Sequence, residues 1–418
     1  MPELYDFQKK AVSELLDNPS KHIAILKPGA GKTAIMFTTL REMIKRDPSK
    51  NRVLIISTSS KVKSGDMFTE ADMWNGEGWK ESLVEFQVIS WHKASDWFAE
   101  HKKELMLNGE HWVLAADEVQ KSKGYSTGMG RSFQEFCRRM SDWIGFTATP
   151  GDKWIDLMPY MVACGFYKNK TDFTNKHAIM QRYRGFPEIT RYLETDKLQE
   201  IWDEITVRPN TEQMDRELPS ETHRVIEFKA PSTYKKLLKD RVDPRTGEFI
   251  ETVSGMCHTA RQICFTKEKQ EWLADFIGGL GTNCVFFCNY IEEEDLVCEI
   301  AKKNLPPEAR IWRIDGSHHE IPKPDTIGKY DVVVAHYMSG GEALNLQFMY
   351  YWVSVSPHYS LSTSVQARGR IKRIGQKHPM FYMYLKTTHT IEDDIYQCLK
   401  NKSDFAVRTW AEEHGLDE

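Results

Sequence analysis

Short apolar runs that alternate with longer amphipathic stretches restrict the fold of this chain more than any other feature. The first part of the sequence contains five such runs: "HIAIL" (22–26), "RVLIIS" (52–57), "FQVIS" (86–90), "WVLAA" (112–116) and "WIGFTA" (143–148). Stretches between them, such as "TAIMFTTLREMIKR" (33–46), repeat apolar residues every three to four positions, which is typical of helices. Strands that alternate with helices favour a parallel sheet with helical crossovers.

A second series of apolar runs follows a polar region. Between Thr174 and about Cys257 the sequence is polar, with helical segments such as "DKLQEIWDEI". Beyond it come "CVFFC" (284–288), "RIWRID" (310–315), "DVVVA" (331–335), "YYWVSVS" (350–356) and "FYMYL" (381–385). We therefore predict an α/β protein in three parts: a first lobe over 1–172, a mostly helical insertion or linker over 173–257, and a second lobe over 258–418.

Length and composition agree with several packed domains. The chain has 418 residues, of which 40% are hydrophobic, and its net charge is −4. No run approaches the roughly 18 apolar residues that span a bilayer, and the N-terminus lacks the apolar core of a signal peptide. The eight cysteines form no CxxC pair, so reduced core thiols are favoured over zinc ligands. We expect an intracellular, cytoplasmic monomer without membrane association, whose contacts with nucleic acid would come from local patches.

A glycine-rich loop follows the first predicted strand. The segment "LKPGAGKT" (26–33) lies between an apolar strand and an amphipathic helix, which is the context of a phosphate-binding loop. Glycines let backbone amides surround phosphate oxygens, and the helix N-terminus attracts the anion. Lys32 is predicted to reach the β- and γ-phosphates, and the Thr33 hydroxyl to bind Mg²⁺. The alternative is a glycine-rich turn with an incidental lysine, and Leu26 occupies the position of the usual first glycine.

Two adjacent carboxylates follow another apolar strand. "LAADEVQ" (114–120) ends a hydrophobic run in Asp117 and Glu118. A carboxylate at the end of a strand beside a phosphate loop holds Mg²⁺ through water, and the next acid can polarise an attacking water. The alternative is a pair of solvated acids in a turn. Because the phosphate loop is also present, we predict a site for ATP and Mg²⁺.

Positive charge is concentrated near the end of the chain. "SVQARGRIKRIGQ" (364–376) contains four cations, and no Asp or Glu occurs between Glu342 and Glu392. On a helix, Arg370 and Arg373 would share one face with Gln366 and could stabilise charge on a γ-phosphate. A solvated basic helix and a surface that only contacts DNA remain as alternatives.

This basic stretch closely resembles the sixth motif of superfamily 2 helicases in the form found in Swi/Snf-type ATPases, Gln-x-x-Gly-Arg-x-x-Arg-x-Gly-Gln. Other segments occur in the order of that family: "LYDFQKKAV" (4–12) with Gln8 as adenine reader, "LKPGAGKT" as phosphate loop, "DEVQ" (117–120) as the DExH box, "FTATP" (146–150) as the third motif, "SGGEALNLQ" (339–347) as the fifth, and "IEDDIYQCLKNKSDF" (391–405) as the segment closing the second lobe. The compact chain is similar to phage- or prokaryote-encoded members.

The resemblance implies two RecA-like lobes that hydrolyse ATP with Mg²⁺ in order to translocate on, unwind or remodel duplex, forked or branched DNA. It implies a nucleotide site made of Gln8, Pro28, Gly29, Ala30, Gly31, Lys32, Thr33, Asp117, Gly341 and Asn345, with Thr33 and Asp117 at the metal. It implies catalytic roles for Glu118, Gln120, Gln366, Arg370 and Arg373. Nucleic-acid contacts are expected at Ser339, Gly340, Arg368 and Lys372.

Departures from the family pattern concern three places. Gln120 stands where the family usually has His, but an amide can still form the hydrogen bonds. Ala343 replaces a common glycine, and "ISTSSKVKSGDMF" (56–68) matches its motif poorly. RNA as the track, and a nucleotide-gated binding protein without turnover, remain alternatives. The segment "QRYRGF" (181–186) could stack on bases or form a surface helix, and His318 with His319 fits a solvated loop better than a metal site.

Overall fold

The computed structural model describes residues 2–151, 153–183, 186–318, 321–339, 344–414 and 416. The chain divides into two compact units, Met1–Asp215 and Arg216–Glu418. The helices are α1 Asp6–Asp17, α2 Lys32–Arg46, α3 Ser59–Ser64, α4 Asp66–Asn75, α5 Ala94–Asn108, α6 Gly128–Arg139, α7 Trp154–Ala163, α8 Lys170–His177, α9 Thr195–Ile205, α10 Glu212–Glu217, α11 Tyr234–Asp240, α12 Val253–Ile263, α13 Lys267–Gly278, α14 Ile291–Asn304, α15 Leu361–Arg368, α16 Ile391–Lys400 and α17 Val407–Glu413.

Fourteen strands occur in the described part of the chain. They are β1 Ile23–Ile25, β2 Arg52–Ser57, β3 Glu85–Ser90, β4 Trp112–Asp117, β5 Asp142–Thr147, β6 Ala178–Tyr183, β7 Phe186–Tyr192, β8 Thr206–Val207, β9 Glu221–Phe228, β10 Cys284–Cys288, β11 Ile311–Ile314, β12 Val332–His336, β13 Tyr351–Ser354 and β14 Met380–Thr387. Every apolar run that the sequence identified as a strand corresponds to one of these.

The first unit is built on a six-stranded sheet with the order β3-β2-β4-β5-β1-β8. All its strand pairs are parallel. Its strands are almost continuous apolar runs because helices cover a parallel sheet on both faces. Large aromatic side chains fill the core beneath it, and Trp91 and Trp112 are at most 1% exposed.

The register of this sheet places the predicted site along one edge. Asp117, the last residue of β4, pairs with Phe146 of β5, and Ile25 of β1 pairs with Thr147. Because parallel strands end on the same side of a sheet, the phosphate loop, the acidic pair and Thr147 emerge together. Ligands bind at this carboxyl edge in open α/β sheets.

The second unit contains another parallel six-stranded sheet, with the order β11-β12-β10-β13-β14-β9. Valine, phenylalanine and cysteine make up its central strand β10, all five residues of which are buried. The predicted α/β fold class, with two units that each contain a parallel sheet, is confirmed. The description of these units as RecA-like stays a prediction.

The segment 173–257 differs from the mostly helical insertion that we predicted. It contains helices, but also the antiparallel hairpin β6–β7 and the edge strands β8 and β9 of the two sheets. The strand β9 was missed because all but two of its eight residues are exposed, so it shows no apolar run. The segment therefore supplies parts of both units.

The eight cysteines form no disulfide bond with one another, and five of them are buried. No cluster of His, Cys, Asp or Glu that could hold a metal ion is found in the described ranges. Within the same ranges, every helix is too short or too polar to cross a lipid bilayer.

Candidate nucleotide-binding site

The loop between β1 and α2 has the backbone conformation of a phosphate cradle. Gly29 and Gly31 both have φ of +78°, a conformation that residues with a side chain rarely adopt. A Cβ added at Gly31 would lie 2.3 Å from Nε2 of Gln8, so this position also lacks space for a side chain. Pro28 is half-buried and Ala30 fully buried, which fixes the loop against the sheet.

Helix α2 begins at Lys32, directly after the loop. No side chain caps its N-terminus. The amides of the first helical turn therefore lack intrahelical acceptors, and with the helix dipole they form a site for an anion. Thr33 lies in the same first turn and is half-buried.

Lys32 lies close to the acidic pair at the end of β4. Its Nζ is 3.8 Å from Oε1 of Glu118, and both side chains are largely buried. The sheet thus brings together the lysine and the carboxylates that sequence analysis assigned to one site.

Asp117 is 2% exposed and already has two partners. Its Oδ2 accepts hydrogen bonds from Oγ of Ser57 at 2.7 Å and from Nζ of Lys61 at 2.8 Å. Burial works to raise the pKa of Asp117, but the positive charges of Lys61 and Lys32 outweigh it, and the pKa is lowered. The carboxylate is therefore ionised, which is the form that binds a divalent cation.

Glu118 has an unusual backbone conformation. Its φ of 51° and ψ of 50° lie in the left-handed region, which is uncommon for a residue other than glycine. Strain of this kind occurs preferentially at functional sites, where the surroundings hold it in place.

Gln120 connects Glu118 to Thr147, which ends β5 and belongs to the third motif (146–150). Its Nε2 donates to Oε2 of Glu118 at 2.6 Å, and its Oε1 accepts from Oγ1 of Thr147 at 2.7 Å. The backbone amide of Thr149 in turn donates to Oγ1 of Thr147 at 3.0 Å. An amide can serve both neighbours at once because it carries a donor and an acceptor.

Gln8 contacts the phosphate loop directly. It is 2% exposed, its Nε2 donates to the carbonyl of Ala30 at 2.9 Å, and its Oε1 accepts from the amide of Tyr5 at 2.9 Å. These bonds place Gln8 at the loop. Contact with an adenine ring stays a prediction.

Sequence analysis missed Ser57, Lys61 and Thr147 as residues of this site. Ser57 ends β2, the neighbour of β4, and Lys61 belongs to the short helix α3 that follows it. Thr147 lies within the segment identified as the third motif (146–150) but was not singled out. The only signal for Ser57 and Lys61 was that they fall in a segment, 56–68, that matched its motif poorly. Strand order, which a single sequence does not reveal, brings them to Asp117.

The basic stretch in the second unit is only partly helical. Helix α15 includes Gln366 and ends at Arg368, with Gly369 as its C-cap. Arg370 and Arg373 lie beyond it in a series of turns, so the prediction that they share a helical face with Gln366 is wrong. Gly369 is the C-cap that follows the last residue of α15, and Gly375, farther along the turns, has a φ of 97°.

The two arginines have defined positions within their own unit. Arg370 is 4% exposed, and its Nη1 lies 3.5 Å from the carbonyl of Leu344. Arg373 is half-buried, and its Nε donates to the carbonyl of Gly369 at 2.9 Å. A contact of either guanidinium with a nucleotide stays a prediction.

The charge of the basic stretch is partly balanced by a residue distant in sequence. Nζ of Lys372 lies 3.1 Å from Oε1 of Glu221, on the edge strand β9. His223, whose Nε2 lies 3.8 Å from Oε2 of Glu221, together with Lys372 lowers the pKa of Glu221 to about 2 although burial opposes the shift.

Other predicted residues are more scattered. Ser339 is half-buried after β12, Asn345 is exposed, and Arg368 lines a cavity described below. Gly340, Gly341, Ala343 and His319 lie outside the described residues. His318 pairs with Asp315 through Nδ1 at 3.0 Å. The segment 181–186 falls partly outside the described residues and otherwise belongs to strands, not to a helix.

No family model matches this sequence. The chain is similar to the TATA-binding protein-associated factor mot1 of two strains of Aspergillus fumigatus, with 29% identity over 128 residues. The match covers 29% of this chain and only 7% of the length of those relatives. Among solved structures, the chain is similar to a Sulfolobus solfataricus SWI2/SNF2 ATPase core in complex with dsDNA. That comparison has 15% identity and a TM-score of 0.45, and covers 96% of this chain and 91% of the other.

Proposed function

We propose that this protein is a nucleic-acid-dependent ATPase that uses the hydrolysis of Mg²⁺·ATP to move along or remodel DNA. One observation carries the ATPase part of the proposal. At a single sheet edge of the first unit, an uncapped helix start with its glycine loop lies beside Lys32 and the buried pair Asp117 and Glu118.

The residues of this edge fit ATP and Mg²⁺. The loop amides and Lys32 supply donors and positive charge for phosphates, and Thr33 and Asp117 supply the oxygen ligands that Mg²⁺ prefers. Bound Mg²⁺ neutralises charge on the phosphate oxygens. Glu118, oriented by Gln120, accepts a hydrogen bond from the attacking water and directs it toward the γ-phosphate. Lys32 stabilises the charge that develops there.

The DNA part of the proposal depends on the second unit and on the family resemblance. Arg370 and Arg373 are proposed to meet the γ-phosphate when ATP is bound, and Gln366 to support them. Ser339, Arg368 and Lys372 are proposed to contact backbone phosphates, which positions a protein without reading sequence. The similarity to a TATA-binding protein-associated factor is consistent with DNA as partner.

Phosphate release measured with duplex, single-stranded and forked DNA, with RNA and without polymer tests this function. We expect strong stimulation by DNA and weaker stimulation by RNA. Lys32→Ala should abolish turnover. Lys45→Ala, at the exposed far end of the same helix, is the matched control and should retain it. Equal rates with and without every polymer would refute the motor.

A nucleotide-gated binding protein is a second candidate, and the Lys61–Asp117 pair favours it. A lysine at 2.8 Å from the metal-binding carboxylate competes with Mg²⁺ for the same oxygen. For this candidate we expect ATP to bind with Lys32-dependent affinity and to change DNA affinity, without release of phosphate under any condition.

A further inference from the structure

A cavity of about 400 Å³ lies entirely within the second unit. It is formed by α15, α16 and the side of the sheet that these helices cover, and its volume is within the range of about 300–1,000 Å³ typical of small-molecule sites. The described residues that line it are His223, Tyr337, Trp352, Ser354, Pro357, His358, Leu361, Ser364, Val365, Arg368, Tyr384, Tyr396, Leu399, Lys400 and Lys402.

Aromatic rings form much of the wall. Tyr384 lies 5.6 Å from Trp352 and 5.9 Å from Tyr396, measured between ring centroids, and Tyr337 lies 5.2 Å from His358. Tyr384, Tyr396 and His358 are half-buried and line the cavity, so their rings offer surface on which another planar ring can stack. The wall therefore favours a planar aromatic ligand over an aliphatic one.

Three cations border the same cavity. Arg368 is half-buried at the end of α15, and Lys400 and Lys402 are exposed at the end of α16. In the described part of the chain none of the three has a carboxylate within 4 Å, and none of the described lining residues is acidic. Positive charge without a local counter-ion fits an anionic group on the ligand.

Ser364 provides an independent indication of a ligand. Ser364 is 8% exposed and lines the cavity, yet its Oγ has no hydrogen-bond partner among the described residues. Buried hydroxyls are nearly always paired, and this oxygen has less than 1 Å² of accessible surface. An unpaired hydroxyl on a residue of the cavity wall therefore indicates a partner that reaches it when the cavity is filled.

His358 adds a neutral polar group to the same wall. Burial, helped by the nearby Arg261, lowers the pKa of His358 to about 4. Its Nδ1 accepts from the amide of Ser360 at 3.0 Å, so the proton of the neutral ring resides on Nε2.

We propose that this cavity binds a nucleobase together with its phosphate, at a site separate from the phosphate loop. The base stacks among the rings and bonds to Ser364, and the phosphate lies against Arg368, Lys400 and Lys402. A base with a phosphate has two sources, an unpaired nucleotide of a strand and a free mononucleotide. Only the first source rests on the proposed function, because only it requires nucleic acid as partner.

Binding measured in a Lys32→Ala background tests the proposal, because that change weakens phosphate binding at the loop. The probes are free dAMP and dTMP, a fluorescein-labelled oligo-dT, and an oligomer of equal length with abasic sites. We expect the intact oligomer or the mononucleotides to bind, and removal of the bases to weaken strand binding by at least about tenfold, given typical stacking strength.

Variants then assign the binding to the cavity. Lys400→Ala combined with Lys402→Ala should weaken binding about tenfold, since two charge-assisted contacts are lost. The pair Lys302→Ala and Lys303→Ala removes the same charge from the exposed end of α14 and should change nothing. Ser364→Ala should weaken binding without lowering the melting temperature, because its buried hydroxyl has no partner among the described residues.

The outcomes distinguish an unpaired nucleotide of a strand from a free mononucleotide. They also distinguish the proposed cavity site from the proposed ATPase. Base-dependent binding of strands alone identifies an unpaired nucleotide, and binding of mononucleotides alone identifies a free effector. Equal binding of intact and abasic strands, with no binding of mononucleotides, would overturn the proposal, as would binding that the cavity variants leave unchanged. None of these measurements requires hydrolysis, so a protein that lacks ATPase activity could still bind here.

Discussion

Nζ of Lys61 lies 2.8 Å from Oδ2 of Asp117, so the carboxylate assigned to magnesium carries a counter-ion from its own chain. Ser57 donates to the same oxygen, and both partners come from the β2–α3 connection. Binding of Mg²⁺ at Asp117 must therefore compete with this lysine. A single substitution at Lys61 should therefore change the Mg²⁺ dependence of the site.

Replacing Lys61 should strengthen the apparent affinity for magnesium. In Lys61→Met the competing charge is lost, and we expect the Mg²⁺ concentration for half-maximal nucleotide binding to fall severalfold. Lys63→Met, on the exposed side of the same helix, is the control. The measurement is a Mg²⁺ titration at fixed ATP. A requirement for more Mg²⁺ in Lys61→Met would show that the lysine assists the metal or the phosphates.

Breaking the Gln120 bridge should slow turnover more than it weakens binding. Gln120→Ala removes the bonds to both Glu118 and Thr147, and Thr147→Val removes one of them. We expect each to lower kcat about tenfold, equivalent to about 1.4 kcal/mol, with little change in nucleotide affinity.

The double variant distinguishes a shared path from two separate effects. Because both residues act through one chain of hydrogen bonds, Gln120→Ala with Thr147→Val should lose less than the sum of the single losses. Gln199→Ala, exposed on α9, serves as control. Fully additive losses in kcat would show that the two side chains act independently.

Much of the first unit could be predicted because its signals are local. A glycine loop between strand and helix and an acidic pair at the end of a strand are both contiguous in sequence. Contacts that depend on strand order were not predictable, as the pairing of Lys61 with Asp117 shows. The exposed edge strand β9 lacks an apolar pattern, and its Glu221 balances a basic stretch that looked uncompensated in sequence. The end of α15 was missed because Arg370 has helical spacing from Gln366 although Gly369 stops the helix.

Because of Glu294, the second unit should be more stable in mildly acidic solution than at pH 8. Its side chain is fully buried, with Arg313 Nη2 3.1 Å from Oε2. Burial raises the pKa of Glu294 to about 8, although Arg313 opposes the shift. The folded state therefore holds a proton that the unfolded state releases between about pH 4.5 and 8, and the free energy of unfolding falls as the pH rises through that range.

Glu294→Gln isolates this effect. Relative to the unmodified protein, the free energy of unfolding of the variant should increase by about 2 kcal/mol between pH 5 and pH 8, and no further above pH 8. This value allows for the attraction of Arg313 and for screening. Urea unfolding at each pH gives the difference in free energy. Glu292 is exposed on the same helix, so Glu292→Gln should differ from the unmodified protein in free energy of unfolding by an amount that does not change with pH. A difference that shrinks with rising pH would mean that Glu294 is ionised in the folded protein.

Glu221 is predicted to restrain binding of DNA by the basic stretch. Its carboxylate lies 3.1 Å from Lys372, and its pKa of about 2 keeps it ionised at any working pH. In Glu221→Gln one negative charge beside Lys372 is removed, so duplex DNA should bind severalfold more tightly. If Lys372 then contacts a phosphate, the slope of log affinity against log salt should steepen by about 0.9.

Glu227→Gln on the same strand, where the partner is Lys386, is the matched control. Fluorescence anisotropy over a salt series measures both quantities, and an unchanged slope with unchanged affinity would remove Lys372 from the DNA-binding surface.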